Sequence, residues 1–414
     1  MILYLLGSII LLIILFFIFI RIKYRFWALQ PVFHFYDLYY WLVNVGIIRH
    51  ELPETNRYTN FKEITTYSFD RVPEDKLREF VGLVKNNYFR EKDNLYNPDK
   101  ENIIPYFEGH NSKSFWSFFW QPDVLINVKT NETIDDNMLV GVITSRPLHV
   151  TIYTTGNILS GKPKSEAAKF DVFYVDYLCV KKGFRKKNMA PQLIQTHEYN
   201  QCHLNTDICV SLFKREEELT GIIPLTVYKT YCFDMKNWID HPDPLHSKVN
   251  LLVGDTQNMY YLYNFINENN NKWDITIVPE TSNLIKLIES NNMFISMLLI
   301  DGNIEAAYVF KKTCTNIEKG KEAISCITSM NGNILKPKEF IQGFKIALWN
   351  ILENESRRKQ NNFGFLIIED NSDNGCIIDN IKIRTHPIVT SPTAYFFYNF
   401  AHTPFKQDKV FIIN

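Results

Sequence analysis

Residues 1–20 (MILYLLGSIILLIILFFIFI) carry no charged side chain, and no other segment limits what this chain can become as strongly. As an α-helix, twenty residues rise roughly 30 Å, the thickness of a bilayer's hydrocarbon core. Arg21, Lys23 and Arg25 follow at once. By the positive-inside rule they put the body of the protein on the cytosolic side of a single-pass span, in a host or virion membrane if the source is viral. A cleaved signal peptide would want a basic segment before the apolar run and small residues at its end, and Phe-Ile-Phe-Ile-Arg-Ile-Lys provides neither. An uncleaved anchor is expected.

All 45 Lys and Arg and all 45 Asp and Glu therefore lie in the 394 residues that follow (414 − 20 = 394). A neutral body of this size has room for two domains. It lacks the cationic excess that coating a nucleic acid requires. Seven cysteines, odd in number and without a CxxC pair, suggest neither a disulfide framework nor a zinc site. His34, His149 and His386 stand isolated in sequence, and no metal is assigned. The Pro- and Asp-containing stretch 241–246 is the natural boundary between a domain 21–240 and a domain 241–414. Abundant Asn, Ile and Lys fit an AT-rich genome, such as that of a large DNA virus or a protist.

Strand and helix patterns alternate, which implies an α/β or α+β fold. Leu77, Phe80, Val81 and Val84 recur at helical spacing in 73–89. Segments 138–153 and 170–180 read as strands joined by a Gly-, Ser- and Lys-rich hairpin loop, 155–169. A helix starts at Ala190, and Cys209 to Phe213 is strand-like. In the second half, 282–289 and 338–354 are helical in period. Segments 293–300 and 306–310 pair around Asp301-Gly302-Asn303, and 363–368 is a buried strand. The run Phe115, Trp116, Phe118, Phe119, Trp120 reads as core before a lipid-facing or acyl-facing wall. The cluster Tyr36, Tyr39, Tyr40, Trp41 suits core or bilayer interface equally.

The sharpest chemical signal is a strand ending Asp176-Tyr177-Leu178-Cys179-Val180. It runs into Lys181-Lys182-Gly183-Phe184-Arg185-Lys186-Lys187-Asn188 and then a helix opening Met189-Ala190-Pro191. Free N–H groups in a first helical turn, the helix dipole and neighbouring cations together suit a pyrophosphate. A solvated basic turn fits the spacing equally well, since the loop has no glycine-rich pattern.

Several segments, in order, resemble one family. Tyr24-Arg25-Phe26-Trp27-Ala28-Leu29-Gln30-Pro31-Val32 is similar to its Y-x-F-W-x-T-Q-P-V, and 86–94 (NNYFREKDN) to its N-Y-V-E-D-D-D-N loop. Segment 139–153 resembles L-V-G-F-I-S-x-x-P, 176–191 resembles N-F-L-C-V-H-x-x-L-R-S-K-R-x-A-P, 221–224 resembles G-I-V-L-P, and 395–399 resembles Y-Y-L-Y-N. The family is glycylpeptide N-tetradecanoyltransferase, or N-myristoyltransferase. The resemblance implies two GNAT-like acyl-CoA N-acyltransferase halves side by side, with myristoyl-CoA as acyl-donor co-substrate, no tightly bound cofactor, N-terminal glycine peptides as acceptors and a monomeric enzyme. By the same resemblance Tyr24, Arg25, Phe26 and Trp27 line the acyl-CoA. The strand end Tyr177, Leu178, Cys179, Val180 and the loop residues Arg185, Lys186, Lys187, Asn188, Met189, Ala190 and Pro191 complete its site. Tyr177 and Leu178 would hold the thioester oxygen through backbone N–H groups. Thr220 approximates the family's catalytic-site threonine, and the terminal carboxylate of Asn414 takes the proton of the glycine amine. No nucleophile is required, so Cys179 reads as a small core residue.

The sequence also departs from the family pattern. Tyr174 stands for its Glu, Asp176 for its Asn, Tyr177 for its Phe and Lys181 for its His, while 384–390 (RTHPIVT) replaces K-F-G-x-G-D-G and its peptide-binding Asp. Two alternatives follow: another acyl- or acetyl-CoA N-acyltransferase on this scaffold, or a catalytically silent relative that binds acyl-CoA or acylated peptides.

Overall fold

The structure, a computed structural model, describes residues 2–42, 45–89, 95–126, 133–153, 167–216, 221–238, 240–318, 320–332, 334–358 and 362–414. Residues 155–166 of the 155–169 loop, the whole of the 90–94 segment and Thr220 fall outside these residues. Helix α1 (Ile2–Lys23) takes in the whole apolar run and continues through Arg21 and Lys23. Its side chains from Tyr4 to Phe19 are exposed, and it is the one helix among the described residues long and apolar enough to cross a membrane.

Beyond α1 the main elements of the first half are β1 (Ile64–Ser68), α2 (Glu74–Asn87), β2 (Phe115–Ile126), β3 (Thr133–Ile152), β4 (Ala168–Val180), α3 (Met189–Leu204), β5 (Ser211–Glu216) and β6 (Thr226–Asp234). Those of the second half are β7 (Val249–Val253), α4 (Met259–Glu268), β8 (Ile275–Val278), α5 (Thr281–Glu289), β9 (Met293–Ile300), β10 (Asn303–Glu318), β11 (Lys321–Asn331), α6 (Pro337–Arg358), β12 (Phe363–Glu369), α7 (Asn374–Lys382), β13 (Val389–Tyr398) and β14 (Val410–Ile412). One continuous sheet runs β14-β8-β3-β4-β5-β13-β6-β12-β11-β10-β9-β7, with β2 on β3 and β1 on β2. Strand β3 is long enough to pair with β2 through Ser145 and, from His149 onward, with β8. The halves exchange strands: β13 lies between β5 and β6, and β8 pairs antiparallel with β3 while carrying β14 in parallel on its other edge. The 240–246 connection is largely exposed between β6 and β7.

The aromatic run of β2 is core. Phe115, Trp116, Phe118 and Phe119 are buried because both faces of the strand are covered. On one face the Trp116 ring lies 4.3 Å from that of Phe80, on α2. On the other, Phe119 shares a cluster with Leu193 of α3. Tyr36, Tyr39, Tyr40 and Trp41 are not core. Tyr36 instead meets Phe17 of α1 edge-on at 5.5 Å, so the cluster sits against the apolar helix. His149, isolated in sequence, is held between the Asp171 and Glu280 carboxylates at 2.7 Å each.

Helix α3 is fixed to the sheet by His197, whose two ring nitrogens meet Ser117 Oγ at 2.8 Å and Ser145 Oγ at 2.9 Å. Burial pushes this imidazole down to about 3. Between that value and its ordinary one near 6.5 the unfolded chain holds the extra proton, so this part of the stability is complete above 6.5 and is lost as pH falls. Urea unfolding at pH 6.5 and 5 should show the His197→Gln variant losing less stability than the native chain over this interval, by up to about 2 kcal/mol.

Candidate active site

Strand β4 pairs in parallel with β5 only at Phe173, Tyr174 and Val175, opposite Ser211, Leu212 and Phe213. Past Val175 the ladder between them ends and the sheet opens. On its other edge β4 bulges at the same level: Val142 pairs with Cys179 and Thr144 with Asp176, leaving Ile143 to face both Tyr177 and Leu178. An extra residue in one strand bends it and takes backbone groups out of the ladder. Tyr177 adopts φ +49°, which a non-glycine residue keeps only where surrounding packing enforces it. Here its ring lies edge-on to Phe80 at 5.5 Å and its hydroxyl accepts from Tyr96 at 3.2 Å. Leu178 is 40% exposed, facing out of the bulge. The Tyr177 N–H donates to the Asp176 side-chain carboxylate at 2.8 Å. Cys179 is buried, and burial pushes its thiol up to about 12, which suits packing and not chemistry.

The basic loop follows directly. Lys186 and Asn188 both have positive φ, +63° and +58°, and such turns direct successive N–H groups into one concavity. Helix α3 opens without a side-chain cap on its first turn. Lys182, Lys186 and Lys187 are exposed, whereas Arg185 turns inward, donating to the Val180 carbonyl at 3.1 Å and to the Asn87 carbonyl. Met189 is buried against Val140, Ile143 and Val180, with Ala190 beside them. Pro191 sits in the first turn, where its missing N–H costs nothing.

Tyr24 and Arg25 are exposed at the foot of α1. Phe26 is buried, meeting Tyr58 at 5.2 Å. Trp27 stacks on Phe213 at 5.9 Å, and Phe213 stacks on Phe396 at 5.2 Å. This ring stack ties the segment after α1 to β5 and β13, at the edge of the opening.

The last residues enter the sheet. Val410, Phe411 and Ile412 pair with Ile275, Thr276 and Ile277, and the Ile413 N–H donates to the Ile277 carbonyl at 2.9 Å. Asn414 is 4% exposed, and its backbone oxygen accepts from Lys311 Nζ at 3.2 Å. Burial pushes the Lys311 ammonium down to about 8, with Asp176 pulling it up and Arg146 adding to the push. Lys311 lies 4.8 Å from the Tyr106 ring, and the Arg146 guanidinium 5.3 Å from it. Asn414 and the Asp176–Tyr177 bulge are thus linked through one polar cluster. Sequence reading did not single out Lys311, Arg146, Lys214 or Tyr106. The available signal was a charge inside an apolar strand, Arg146 in VITSRPLHV and Lys311 after AAYVF.

Lys214 belongs to the same face, donating to Glu369 at 2.9 Å while the Tyr228 hydroxyl also donates to Glu369.

The strand order matches the fold of tandem GNAT proteins. A tandem GNAT protein from the clavulanic acid biosynthesis pathway superposes with TM-score 0.50 at 10% identity, covering 83% of this chain and 99% of that one. Residues 50–221 match the family model for the myristoyl-CoA:protein N-myristoyltransferase N-terminal domain. Saccharomyces cerevisiae N-myristoyltransferase with bound myristoyl-CoA superposes with TM-score 0.63 at 16% identity, over 94% of this chain and 99% of that one. Glycylpeptide N-tetradecanoyltransferase from Plasmodium falciparum is 28% identical over 181 residues, 42% of this chain. The aligned region spans 38% of that relative's length.

Removing one partner of a buried ion pair leaves an uncompensated charge and costs about 3–5 kcal/mol, whereas replacing both can be near neutral. In urea unfolding, Glu369→Leu should show a loss of that order, and Lys214→Met combined with Glu369→Leu should restore most of it.

Proposed function

We propose that this protein is a membrane-anchored, monomeric protein N-myristoyltransferase that moves a tetradecanoyl group from myristoyl-CoA to the amine of an N-terminal glycine. The observation that carries this reading is the bulge at Tyr177 and Leu178, beside an opened sheet and directly before a basic loop with an uncapped helix start. The pyrophosphate lies at that loop, against the N–H groups of residues 188–190 with Lys186 and Lys187 adding charge, and Tyr24 to Trp27 border the acyl-CoA. The thioester carbonyl lies at the bulge, where the Leu178 amide donates to the oxygen as it becomes an oxyanion. The Tyr177 amide joins it once Asp176 releases that N–H. Each such donor is typically worth about 3–4 kcal/mol of barrier. The amine nitrogen bonds to the carbonyl carbon, the C–S bond breaks, and the amine proton passes to the Asn414 terminal carboxylate and from there to the departing thiolate, so that CoA leaves as the thiol. A carboxylate this buried is a stronger base than one in water. Helix α1 holds the body at the cytosolic face, and residues 21–240 and 241–414 act as acyl-CoA and peptide halves. An AT-rich viral or protist genome is our reading of its source.

The hold of Asp176 on the Tyr177 amide favours one competitor, a silent acyl-CoA-binding relative. Incubation of the protein with labelled myristoyl-CoA and glycine-initiated peptides decides between them. Transfer is expected, and bound acyl-CoA without transfer would establish the competitor. Deleting Ile413 and Asn414, or extending the chain with a C-terminal tag, should lower transfer about 100-fold or more and leave acyl-CoA affinity within about twofold. A fully active tagged enzyme would remove the terminal carboxylate from the mechanism.

A further inference from the structure

Arg146 faces Tyr174 across the β3–β4 ladder. Its neighbour Ser145 bonds His197 of α3, so Arg146, next along the strand, lies on the face away from that helix. It is 1% exposed, and none of its three guanidinium nitrogens has a hydrogen-bond partner among the described residues. The rings of Tyr106 and Tyr174 lie 5.3 and 5.1 Å from its central carbon. Aromatic rings satisfy the flat faces of a guanidinium but not its N–H fork. The buried Tyr106 hydroxyl is also without a partner, and the Lys311 ammonium approaches the same ring. Nearby carboxylates are already engaged, Asp176 by the Tyr177 N–H and Glu369 by Lys214 and Tyr228. A buried guanidinium without an acceptor is unfavourable, so an arrangement of this kind points to an acceptor brought in by a ligand.

We infer that Arg146, flanked by Lys311 and the Tyr106 hydroxyl, binds the side-chain carboxylate of an acidic residue close to the N-terminal glycine of the substrate protein. A planar fork presents two parallel N–H donors to a carboxylate, a match that a lysine's point charge cannot make. Lys311 links this subsite to Asn414, so a peptide whose amine lies at the chain end has its following residues within reach of Arg146. The inference rests on the acyltransferase reading and gives it a substrate class: glycine-initiated sequences with a Glu or Asp in their first residues.

The test uses the full chain in detergent and peptide pairs that differ only by Glu or Gln at each of positions two to six. Affinity is read by fluorescence anisotropy with a non-hydrolysable ketone analogue of myristoyl-CoA bound, and kcat/KM is read from transfer with myristoyl-CoA itself. At one position or more the Glu peptide should bind about tenfold more tightly than its Gln partner. That ratio should fall to near one in Arg146→Met and be partly kept in Arg146→Lys. Arg146→Met should melt no lower than the native chain, because an unpaired buried charge is lost. Equal affinities at every position, no peptide binding at all, or a Glu preference that survives Arg146→Met would overturn the subsite. Transfer without any Glu preference overturns the subsite alone. Glu-selective binding without transfer overturns the acyltransferase reading and leaves the subsite standing.

Discussion

Strand β8, paired through Ile275–Val278 with His149–Ile152 of the first half and through Ile275–Ile277 with Val410–Ile412, joins the two halves of this chain in one sheet and seats the chain end beside them. Four consecutive side chains, Val410 to Ile413, are almost completely buried there. Each contributes about 1.5–3 kcal/mol relative to exposure, against about 1–2 kcal/mol per residue for ordering the backbone. Burial is enough to hold the strand, and its ladder bonds fix the register. Because β8 also pairs with β3, the strand that borders the bulged β4, inserting β14 places Asn414 at the polar cluster rather than on the surface. The polar end of an apolar strand is delivered into the interior by the residues before it.

Around that end, charges that cancel over the whole chain are sorted locally. Lys214 and Glu369 neutralise each other, Asp176 closes on a backbone N–H, and Lys311 reaches the last residue. Arg146 alone among these is left with its donors unanswered by the described residues. The exposed cations Lys182, Lys186 and Lys187 lie on the other side of the bulge, where β4 runs into α3. One strand therefore separates an exposed basic loop from a buried polar face, and the bulge at Tyr177 and Leu178 lies between them.

Much of this was legible in the sequence where a single element sufficed. The helical spacing of Leu77, Phe80 and Val84 gave α2, and the apolar segments 138–153 and 170–180 gave β3 and β4 with boundaries a few residues short. The basic loop before Met189 was visible as a change of composition. What needed tertiary pairing was not legible. No local pattern shows that β13 enters between β5 and β6, that two residues of β4 oppose one of β3, or that Asp176 turns back on its neighbour's amide. Arg146 and Lys311 looked like ordinary charges because pairing and burial belong to the assembled sheet. Tyr36 to Trp41 could not be assigned from composition, since aromatic residues suit a core and an apolar helix alike.

The central claim is that the bulge and the chain end form one reaction site for a thioester. A crystal structure of the protein with a ketone analogue of myristoyl-CoA, one methylene between sulfur and carbonyl, tests it most directly. The account predicts the analogue's carbonyl oxygen about 3 Å from the Leu178 amide nitrogen, the Asp176 side chain turned away from the Tyr177 N–H, and Asn414 facing the carbonyl across the space the amine would fill. A carbonyl bound elsewhere in the sheet opening, with Asp176 still closed on Tyr177 and Asn414 remote from it, would contradict the account.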